Sequence, residues 1–462
     1  MGSELILRLP LGWAMKPLIE CTSDNIISYG VVQPGSHTET GIPIIRVNNF
    51  GNGKLDLSTV LKIEPEIEKK FSRTRLVGGE VLLTLVGSTG QSIVASKELA
   101  GWNVPRAVAV IRPSNDIGAN WINICLQTEF TKHFLDSRAN TTVQKTLNLA
   151  DVKKIPIPIP PRDVKDFIES NIISLDNKIQ LNRQTNQTLE AMAQALFKSW
   201  FVDFDPVFDN IIAHNLAHNN APLHNIPEPL LPHAQRRLNV HNVGRGSARQ
   251  TAAHAFHHLF PQAFEQSDEP SVGIQGWVPK GWGVNSVESL VSRLKSGKRY
   301  SKKDVLPYGQ TPVFEQGQSI LLGYHNDEAN FLASIEDPVF IFGDHTCVTK
   351  LGVVPFSISA NVIPLKGLIR NTYWTYFAVK DLQEFEEYRR HWMEFAIRPV
   401  VTPTVAVADL FADIICPLQQ KSNDLETSSN YLGRLRDTLL PKLISGELRI
   451  PDAEQATEAL AK

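Results

Sequence analysis

A long heptad pattern near the middle of the chain constrains the fold more than any other feature. It follows the stretch "IPIPIPP" at 155–161, whose prolines cannot continue a helix. From there, seam residues recur at alternating spacings of four and three: Ile168, Ile172, Leu175, Ile179, Asn182, Asn186, Leu189, Ala193 and Leu196. This spacing predicts a helix that packs along its whole length against another helix. At about 1.5 Å per residue the seam spans roughly 42 Å, more than a single compact domain needs.

Two asparagines, Asn182 and Asn186, interrupt the apolar seam. Buried amides are costly without polar partners, so we expect these residues to fix the register or orientation of a helix pair. The predicted partner is a second helix near the C-terminus, with Leu425, Leu432, Leu435, Leu439 and Leu443. Because a globular region must be built between the two helices, the chain has to return, and the pair is predicted to be antiparallel.

Short internal matches indicate that the globular region is duplicated. Pro-x-Gly-Trp occurs at 10–13 and at 279–282, an offset of 269 residues. Thr-x-x-x-Ala-Asp occurs at 146–151 and 404–409, an offset of 258. In the helices, Ile172, Leu175 and Ile179 match Leu432, Leu435 and Leu439 at an offset of 260. Three similar offsets in the same order predict the arrangement module, helix, linker, module, helix.

These patterns divide the chain into six segments. They are a first globular module at 1–160, a central helix at 161–205, a histidine-rich linker at 206–270, a second globular module at 271–417, a C-terminal helix at 418–450 and a tail at 451–462. The predicted fold class is α/β (mixed α+β), with two pseudo-repeated globular domains separated by two long antiparallel coiled-coil helices. A length of 462 residues with 42% hydrophobic content is enough for a core in each module.

Cysteine usage and hydropathy indicate the compartment. The four cysteines (Cys21, Cys125, Cys347 and Cys416) are far apart and form no CxxC pair, which argues against a disulfide framework or a zinc site. No stretch reaches the roughly 18 apolar residues of a membrane span, and the N-terminus lacks the layout of a signal peptide. We therefore expect a cytoplasmic protein without a membrane partner.

Motifs for catalysis are weak throughout the sequence. The glycines of "VGSTG" at 86–90 follow an alternating apolar run and predict a turn in a hairpin, because one short glycine motif is weak evidence for a cofactor site. Glu68 and Lys70 have no supporting upstream acid, so a nuclease site is not indicated. Eight histidines between His214 and His258 lack ligand pairing and are interpreted as part of a polar linker. The sequence predicts no catalytic residue, no metal site and no cofactor in this chain.

The organisation resembles the DNA-specificity subunit of type I restriction-modification enzymes. The resemblance is carried by "LEAMAQALFKSWFVDFDPV" after the first helix and "LRDTLLPKLISGEL" in the second. The first module adds "GIPIIRVNNFGNGKLDL", "GGEVLLTLVGSTGQSIVAS" and "VPRAVAVIRP". The second module, with "GQTPVF" and "DPVFIFGDHTCVTK", resembles a different subgroup of recognition domains.

The resemblance implies a function without catalysis in this chain. Each module is then a target-recognition domain that reads half of a bipartite, asymmetric sequence in double-stranded DNA, and the helices are the spacer regions. It also implies two modification (methyltransferase) subunits that methylate adenine with S-adenosylmethionine. Up to two restriction subunits, which use ATP and Mg²⁺ for cleavage, complete the implied assembly.

Candidate DNA contacts follow from residue type and from position in apparent loops, because Arg pairs with guanine and Asn or Gln with adenine in the major groove. In the first module the candidates are Arg46, Asn48, Asn49, Asn52, Ser88, Thr89, Gln91 and Lys145. In the second module they are Lys298, Arg299, Lys302, Lys303, His345, Thr346 and Lys350. The overall net charge of −2 gives no general support for DNA binding, but six basic residues fall within 293–303.

An aromatic cluster closes the first helix. Its members are Phe197, Trp200, Phe201 and Phe204. We consider two roles, a docking patch for a partner subunit and a part of the core of a module, with core packing preferred. At the level of the whole chain, the alternatives are a subunit of a methylation-only assembly, a coiled-coil scaffold that binds only protein, and a fused enzyme, which the missing motifs disfavour.

Overall fold

The chain folds into two compact units that share the two long helices. The computed structural model describes residues 9–51, 53–138, 146–219, 221–243, 256–317 and 319–448. The first unit comprises Met1–Leu181 with Ser429–Lys462, and the second comprises Asn182–Ser428. Each unit therefore takes in one end of each long helix.

The first unit is built around a four-stranded antiparallel sheet. Its strands are β1 (Ala14–Pro17), β2 (Thr22–Tyr29), β3 (Ile42–Ile44), β4 (Phe50–Gly51), β5 (Lys54–Leu55), β6 (Leu61–Ile63), β7 (Val81–Thr84), β8 (Ser92–Val94), β9 (Val108–Pro113) and β10 (Pro156–Ile159). Its short helices are α1 (Pro65–Lys69), α2 (Ala119–Leu126), α3 (Glu129–Asp136) and α4 (Leu149–Lys153). The main sheet has the order β2-β9-β7-β8, while β1 pairs with β10, β3 with β6 and β4 with β5.

Both faces of this main sheet are buried, which explains the continuous apolar run of its central strands. On one face, Leu83 and Ile111 pack against α2 and the helix ends. On the other face, Leu82 and Val110 pack against the loops that contain Ile45. Because side chains alternate along a strand, neighbouring residues of β7 serve two different cores.

The second unit repeats this plan with additions. Its short helices are α6 (Asp205–Asn219), α7 (Leu231–Val243), α8 (Val287–Leu290), α9 (Thr372–Val379) and α10 (Trp392–Ala396). Its strands are β11 (Phe264–Gln266), β12 (Trp277–Pro279), β13 (Gly283–Ser286), β14 (Val291–Arg293), β15 (Arg299–Tyr300), β16 (Thr311–Phe314), β17 (Leu321–His325), β18 (Val339–Gly343), β19 (Thr349–Gly352), β20 (Ser357–Ser359), β21 (Val362–Gly367) and β22 (Pro399–Thr402). They form an antiparallel sheet β14-β21-β18-β19, a mixed sheet β15-β20-β16-β17, and the pairs β13-β22 and β11-β12.

The duplication is visible in the strand order. The order β2-β9-β7-β8 of the first unit matches β14-β21-β18-β19 of the second, and the pair β1-β10 matches β13-β22. A helix follows β9 in the first sheet and β21 in the second. The third residue of each helix is a fully buried tryptophan, Trp121 in α2 and Trp374 in α9. The predicted pseudo-repeat is therefore present in the structure.

Two of the three offsets used to find the repeat are wrong, however. The first holds, since β1 and β13 follow the two Gly-Trp pairs directly. The second fails because 150–151 lie in α4, before β10, whereas 408–409 lie in the last helix, after β22. From the last strand pair onward the equivalent offset is 243, from Pro156 to Pro399, because the second module is shorter. The offset of 260 in the helices is therefore also not the equivalent one.

The two long helices are α5 (Arg162–Phe197) and α11 (Val405–Ser445). α5 continues as π-helix over Lys198–Val202, and α11 begins well before the predicted start at 418. The seam residues Ile168, Ile172, Ile179, Asn182 and Ala193 are buried. The remaining seam positions, Leu175, Asn186, Leu189, Leu196, Leu432, Leu435 and Leu439, are half-buried.

Polar contacts within each unit establish that the helices are antiparallel, as predicted. In the first unit, Arg436 Nη1 donates to Asp176 Oδ1 at 2.6 Å. In the second unit, Asn182 Nδ2 lies 3.4 Å from Ser428 Oγ, and Asn186 Nδ2 donates to the Ser422 carbonyl at 3.1 Å. As the residue number rises in α5, that of its partner falls in α11.

The core of each unit includes the start of one long helix and the end of the other. The first unit packs Ile168 and Ile172 of α5 together with Leu440 and Leu443 of α11. The second packs the start of α11, including Phe411, with the end of α5. Since both modules bury both helices, the helix pair is part of two cores and is not a free-standing rod.

The predicted histidine-rich linker is partly helical. All of α7 and all but the first residue of α6 lie within 206–270. Phe208, Leu230 and Ala234 of this region are fully buried in the core of the second unit. Arg237 donates to Asp209 at 2.6 Å, which holds the two helices together. The histidine-rich composition predicted a polar linker, whereas apolar residues of the same region form this helical hairpin.

Candidate nucleic-acid interface

The end of the β7–β8 hairpin carries three of the candidate residues. Thr84 at the end of β7 is fully buried, and its Oγ1 donates to the Ser88 carbonyl at 2.5 Å. The same oxygen accepts a hydrogen bond from the Gln91 backbone N–H at 2.9 Å. These bonds fix the backbone of the tip, while the side chains of Ser88 and Gln91 are exposed and that of Thr89 is half-buried.

In the loop at 46–59, the candidate Asn48 is exposed, whereas the candidate Asn49 is buried and holds the loop together. Asn49 is only 1% exposed, and its Nδ2 donates to the carbonyls of Asp56 at 2.8 Å and Thr59 at 3.1 Å. Its Oδ1 accepts from the Arg46 backbone N–H at 2.8 Å. The amide of Asn49 is therefore committed to the loop, and the prediction that it reads a base is wrong.

Arg46 is half-buried beside this amide. Its Nη2 lies 3.4 Å from the Thr59 carbonyl, and its Nε is buried without a partner among the described residues. Part of the guanidinium thus supports the loop. Asn52 and Lys145, also candidates, lie outside the described residues.

The β18–β19 hairpin of the second unit occupies the position of β7–β8 in the first. Thr84 N donates to the Gln91 carbonyl at 2.9 Å, and Gly343 N donates to the Val348 carbonyl at 2.8 Å in the same way. Both bonds close the hairpin one residue beyond the strand pairing. The tips are therefore 85–90 and 344–347, and the predicted DNA contacts Ser88, Thr89, His345 and Thr346 lie on equivalent loops.

The second tip is held by a neighbouring loop. Gln316 Oε1 accepts from His345 N at 3.0 Å, and its carbonyl accepts from Thr346 Oγ1 at 2.8 Å. Both ring nitrogens of His345 are buried and lack a hydrogen-bond partner among the described residues. Thr346 Oγ1 therefore holds the tip in place, while the His345 imidazole forms no hydrogen bond among the described residues. Lys350 lies within β19, not in the tip, and is half-buried.

Two residues of the basic run hold structural contacts. Lys298 pairs with Asp327 at 2.9 Å and lies over the Tyr300 ring at 4.5 Å. Arg299 donates to the carbonyl of Ser359 at 3.1 Å and to Ser296 Oγ at 2.9 Å. All four candidates of the run, including Lys302 and Lys303, are exposed.

A Ser–His pair in the second unit is not arranged as a nucleophile and base. His325 Nδ1 accepts from the Asp327 backbone N–H at 3.1 Å, so the neutral ring donates through Nε2 to Ser357 Oγ at 2.9 Å. Burial lowers the pKa of His325, which favours this neutral ring. A base that activates a serine would have to accept that proton. The pair therefore stabilises the mixed sheet.

The buried cysteines are poorly suited to thiolate chemistry. Burial raises the pKa of Cys21 to about 11, and burial likewise raises that of Cys347 to about 11. A thiolate is therefore scarce at neutral pH. Within the described residues, no group of three or more His, Cys, Asp or Glu side chains is placed to hold a metal ion, and no helix is long and apolar enough to cross a membrane.

The aromatic cluster belongs to the core of the second unit. Phe201 lies 5.3 Å from Phe411 and is 5% exposed, while Phe204 is fully buried, 5.8 Å from Trp282. Phe197 and Trp200, also ring neighbours of Phe411, are half-buried. Of the two roles considered, core packing is the one that the structure supports, and the docking role for Phe201 and Phe204 is wrong.

Comparison with known proteins finds similarity to one family. A family model described as "Type I restriction modification DNA specificity domain" matches residues 36–191. The HindI specificity subunit of a type I restriction enzyme from Haemophilus influenzae is 25% identical over 435 residues, which cover 85% of this chain and 90% of that protein. Over most of its length the chain is similar to type I restriction enzyme specificity subunits.

Other specificity subunits match the chain over different lengths. The EcoBI specificity subunit from Escherichia coli is 32% identical over 161 residues, so the match spans 33% of this chain and 33% of that protein. The MjaIX specificity subunit from Methanocaldococcus jannaschii is 22% identical and covers 81% of this chain and 78% of its own. The crystal structure of a type I S subunit from M. genitalium gives a TM-score of 0.47 at 13% identity. The match covers 96% of this chain and 99% of that chain.

Proposed function

We propose that this specificity subunit recognises a bipartite, asymmetric sequence in double-stranded DNA, with one module reading each half. The observation that carries the proposal is the placement of polar candidates on the same hairpin tip of both repeated sheets, at 85–90 and 344–347. A duplicated scaffold with different polar tips is what the reading of two unlike half-sites requires.

In the first module, base reading is assigned to the exposed side chains of Asn48, Ser88 and Gln91. Amide side chains form bidentate pairs with adenine in the major groove, and hydroxyls accept or donate to either base. Because Thr84 and Asn49 fix the backbone below them, these side chains are presented on preordered loops, which lowers the entropy lost on binding.

In the second module, His345 is assigned to base contact and Lys302 and Lys303 to phosphates. Phosphate contacts position a protein on the duplex, and base contacts give the sequence preference.

The mixed sheet β15-β20-β16-β17 adds Gln316 to the support of the second tip. Its pairing pattern recurs in the first unit, where Asn103 and Pro105 pair in parallel with Ile44 and Val31, and β3 pairs with β6. Unlike half-sites are supported by the different polar side chains on the two tips.

The paired helices are proposed to act as the spacer between the half-sites. α5 has 36 residues, which at 1.5 Å each corresponds to about 54 Å, so its length suits half-sites separated by roughly one or more turns of about 34 Å. Since α5 and α11 are each built into two cores, a change in their length would change the spacing and leave the bases read by each module unaltered.

The chain is proposed to act without catalysis of its own, in the cytoplasm, with enzymatic partners. Two modification subunits would methylate adenine with S-adenosylmethionine, and up to two restriction subunits would use ATP and Mg²⁺ to cleave unmethylated DNA. A methylation-only assembly that contains the same subunit remains the second candidate, and the genes that accompany this one distinguish the two.

A selection experiment on a random duplex library tests recognition directly. The purified subunit, alone and with its co-expressed modification partner, is expected to enrich two short unlike motifs at a fixed spacing. Enrichment of no motif, with binding that is independent of sequence, would contradict the proposal and favour a scaffold that binds only protein.

A further inference from the structure

The segment that follows α9 lies against the second hairpin tip. Cys347 Sγ lies 3.6 Å from the Glu384 carbonyl, and His391 N donates to the Asp344 carbonyl at 2.8 Å. The Asp344 carboxylate accepts from Trp392 N at 3.0 Å. The tip and the segment 384–392 therefore form one surface, although about 40 residues separate them in the sequence.

The charges of this segment are distributed unevenly. Arg389 is held by Glu387 at 2.9 Å, by Glu386 at 3.3 Å and by Glu394. The neighbouring Arg390 is 79% exposed, and its Nε lies 3.8 Å from Asp344 Oδ2. One arginine is thus neutralised inside the segment, while the other presents its charge to solvent beside the tip.

An exposed aromatic ring covers the unsatisfied imidazole of the tip. The Tyr388 ring lies 4.8 Å from the His345 ring, tilted by 49°, and Tyr388 is 71% exposed. Leaving buried polar atoms unpaired is energetically costly. The imidazole therefore gains a partner if a base edge reaches it, and Tyr388 is the ring that such a base would meet first.

We propose that Tyr388 and Arg390 extend the DNA interface of the second module, with Tyr388 stacking beside the base read by His345 and Arg390 binding the adjacent phosphate. This inference rests on the proposed function. Aromatic rings give sequence-tolerant stacking with bases, whereas a guanidinium gives a bidentate, salt-dependent phosphate contact.

The test measures the affinity of the full chain, co-expressed with its modification partner, for the duplex that wild type selects. Arg390→Ala is expected to weaken binding about tenfold, equally for specific and altered duplexes, and to lower the salt dependence by about one counterion. Tyr388→Ala is expected to weaken binding about tenfold, while Tyr388→Phe, which keeps the ring, stays within twofold of wild type. Lys280→Ala, which removes an exposed charge elsewhere in the same unit, is the control.

The outcomes separate the inference from the function on which it rests. If wild type selects a two-part motif and both alanine variants bind it within twofold of wild type, Tyr388 and Arg390 lie outside the interface and the inference is wrong. If Tyr388→Phe loses as much as Tyr388→Ala, the hydroxyl and not stacking is responsible. If wild type selects no motif, the proposed function itself fails.

Discussion

Thr84→Val should loosen the β7–β8 tip of the first module without removing any of the residues proposed to read a base. The substitution keeps the volume of the side chain but removes a hydroxyl that donates to the Ser88 carbonyl at 2.5 Å and accepts from Gln91 N at 2.9 Å. Thr84 is fully buried, so water does not replace these bonds at its own position. Two lost bonds of about 1 kcal/mol each give an expected loss of about 1–3 kcal/mol.

The assay has two readouts. Urea unfolding measures the stability of the first unit, and mapping of methylated adenines in cells that express the subunit with its modification partner measures specificity. We expect the preference at the first half-site to relax, because Ser88 and Gln91 lose their fixed backbone, and the second half-site to stay as in wild type.

Thr74→Val is the matched control for this substitution. Thr74 is also fully buried in the first unit, and its Oγ1 donates to the Phe71 carbonyl at 2.9 Å. It should lose about 1 kcal/mol of stability without any change in the motif. If Thr84→Val lost the expected stability and the first half-site were read with unchanged fidelity, the reasoning about the tip would be refuted.

Three further predictions concern stability. Asn186→Leu should raise the free energy of unfolding by about 1 kcal/mol, because the Asn186 Oδ1 is buried without a partner among the described residues and leucine suits the seam. Glu68→Gln should flatten the decline of the melting temperature below about pH 4.5, since the Arg75 guanidinium holds the pKa of Glu68 below its ordinary value of 4.5. Gly446→Ala should destabilise by about 1 kcal/mol or more, because φ is +70° and the new Cβ would lie 2.0 Å from a proline carbon, whereas Gly433→Ala, in open space within α11, should stabilise by up to about 1 kcal/mol.

The sign of the pH prediction follows from the ionised form. A lowered pKa in the folded state means that the stabilisation is present above the unfolded pKa and is lost as pH falls through the folded value. Glu129→Gln, at a carboxylate that is 80% exposed, is the control. Equal slopes for wild type and Glu68→Gln, a loss of stability in Asn186→Leu, or equal effects of the two glycine substitutions would each contradict the corresponding argument.

The elements that could be predicted from the sequence are those with a strong period. The heptads at 168–196 predicted a long helix, and the return of the chain predicted an antiparallel partner, because both follow from spacing alone. The Gly-Trp pairs identified the repeat, since each immediately precedes a paired strand. The later offsets failed because the two Ala-Asp pairs lie in α4 and α11, which are not equivalent helices, and because the second module is shorter than the first.

The site residues were less predictable, because the exposure of a side chain and its contacts with distant segments do not follow from the local sequence. Asn49 and Asn48 are equivalent choices by residue type, yet one is buried in the loop and the other is exposed. Tyr388 and Arg390 were missed, because their approach to the tip depends on the packing of a segment far along the chain. The sequence "EEYRRHW" contains an aromatic residue and two arginines, but its two glutamates do not indicate a DNA-binding segment.

The measurement that tests the central claim most directly is a map of methylated adenines in cells that express this chain with its modification partner, repeated with residues 1–160 exchanged for those of a relative. We predict a two-part motif with unlike halves at a fixed spacing, of which the exchange alters one half and preserves the other half and the spacing. A map in which both halves or neither changed, or a stable complex that methylates no defined motif, would contradict the account.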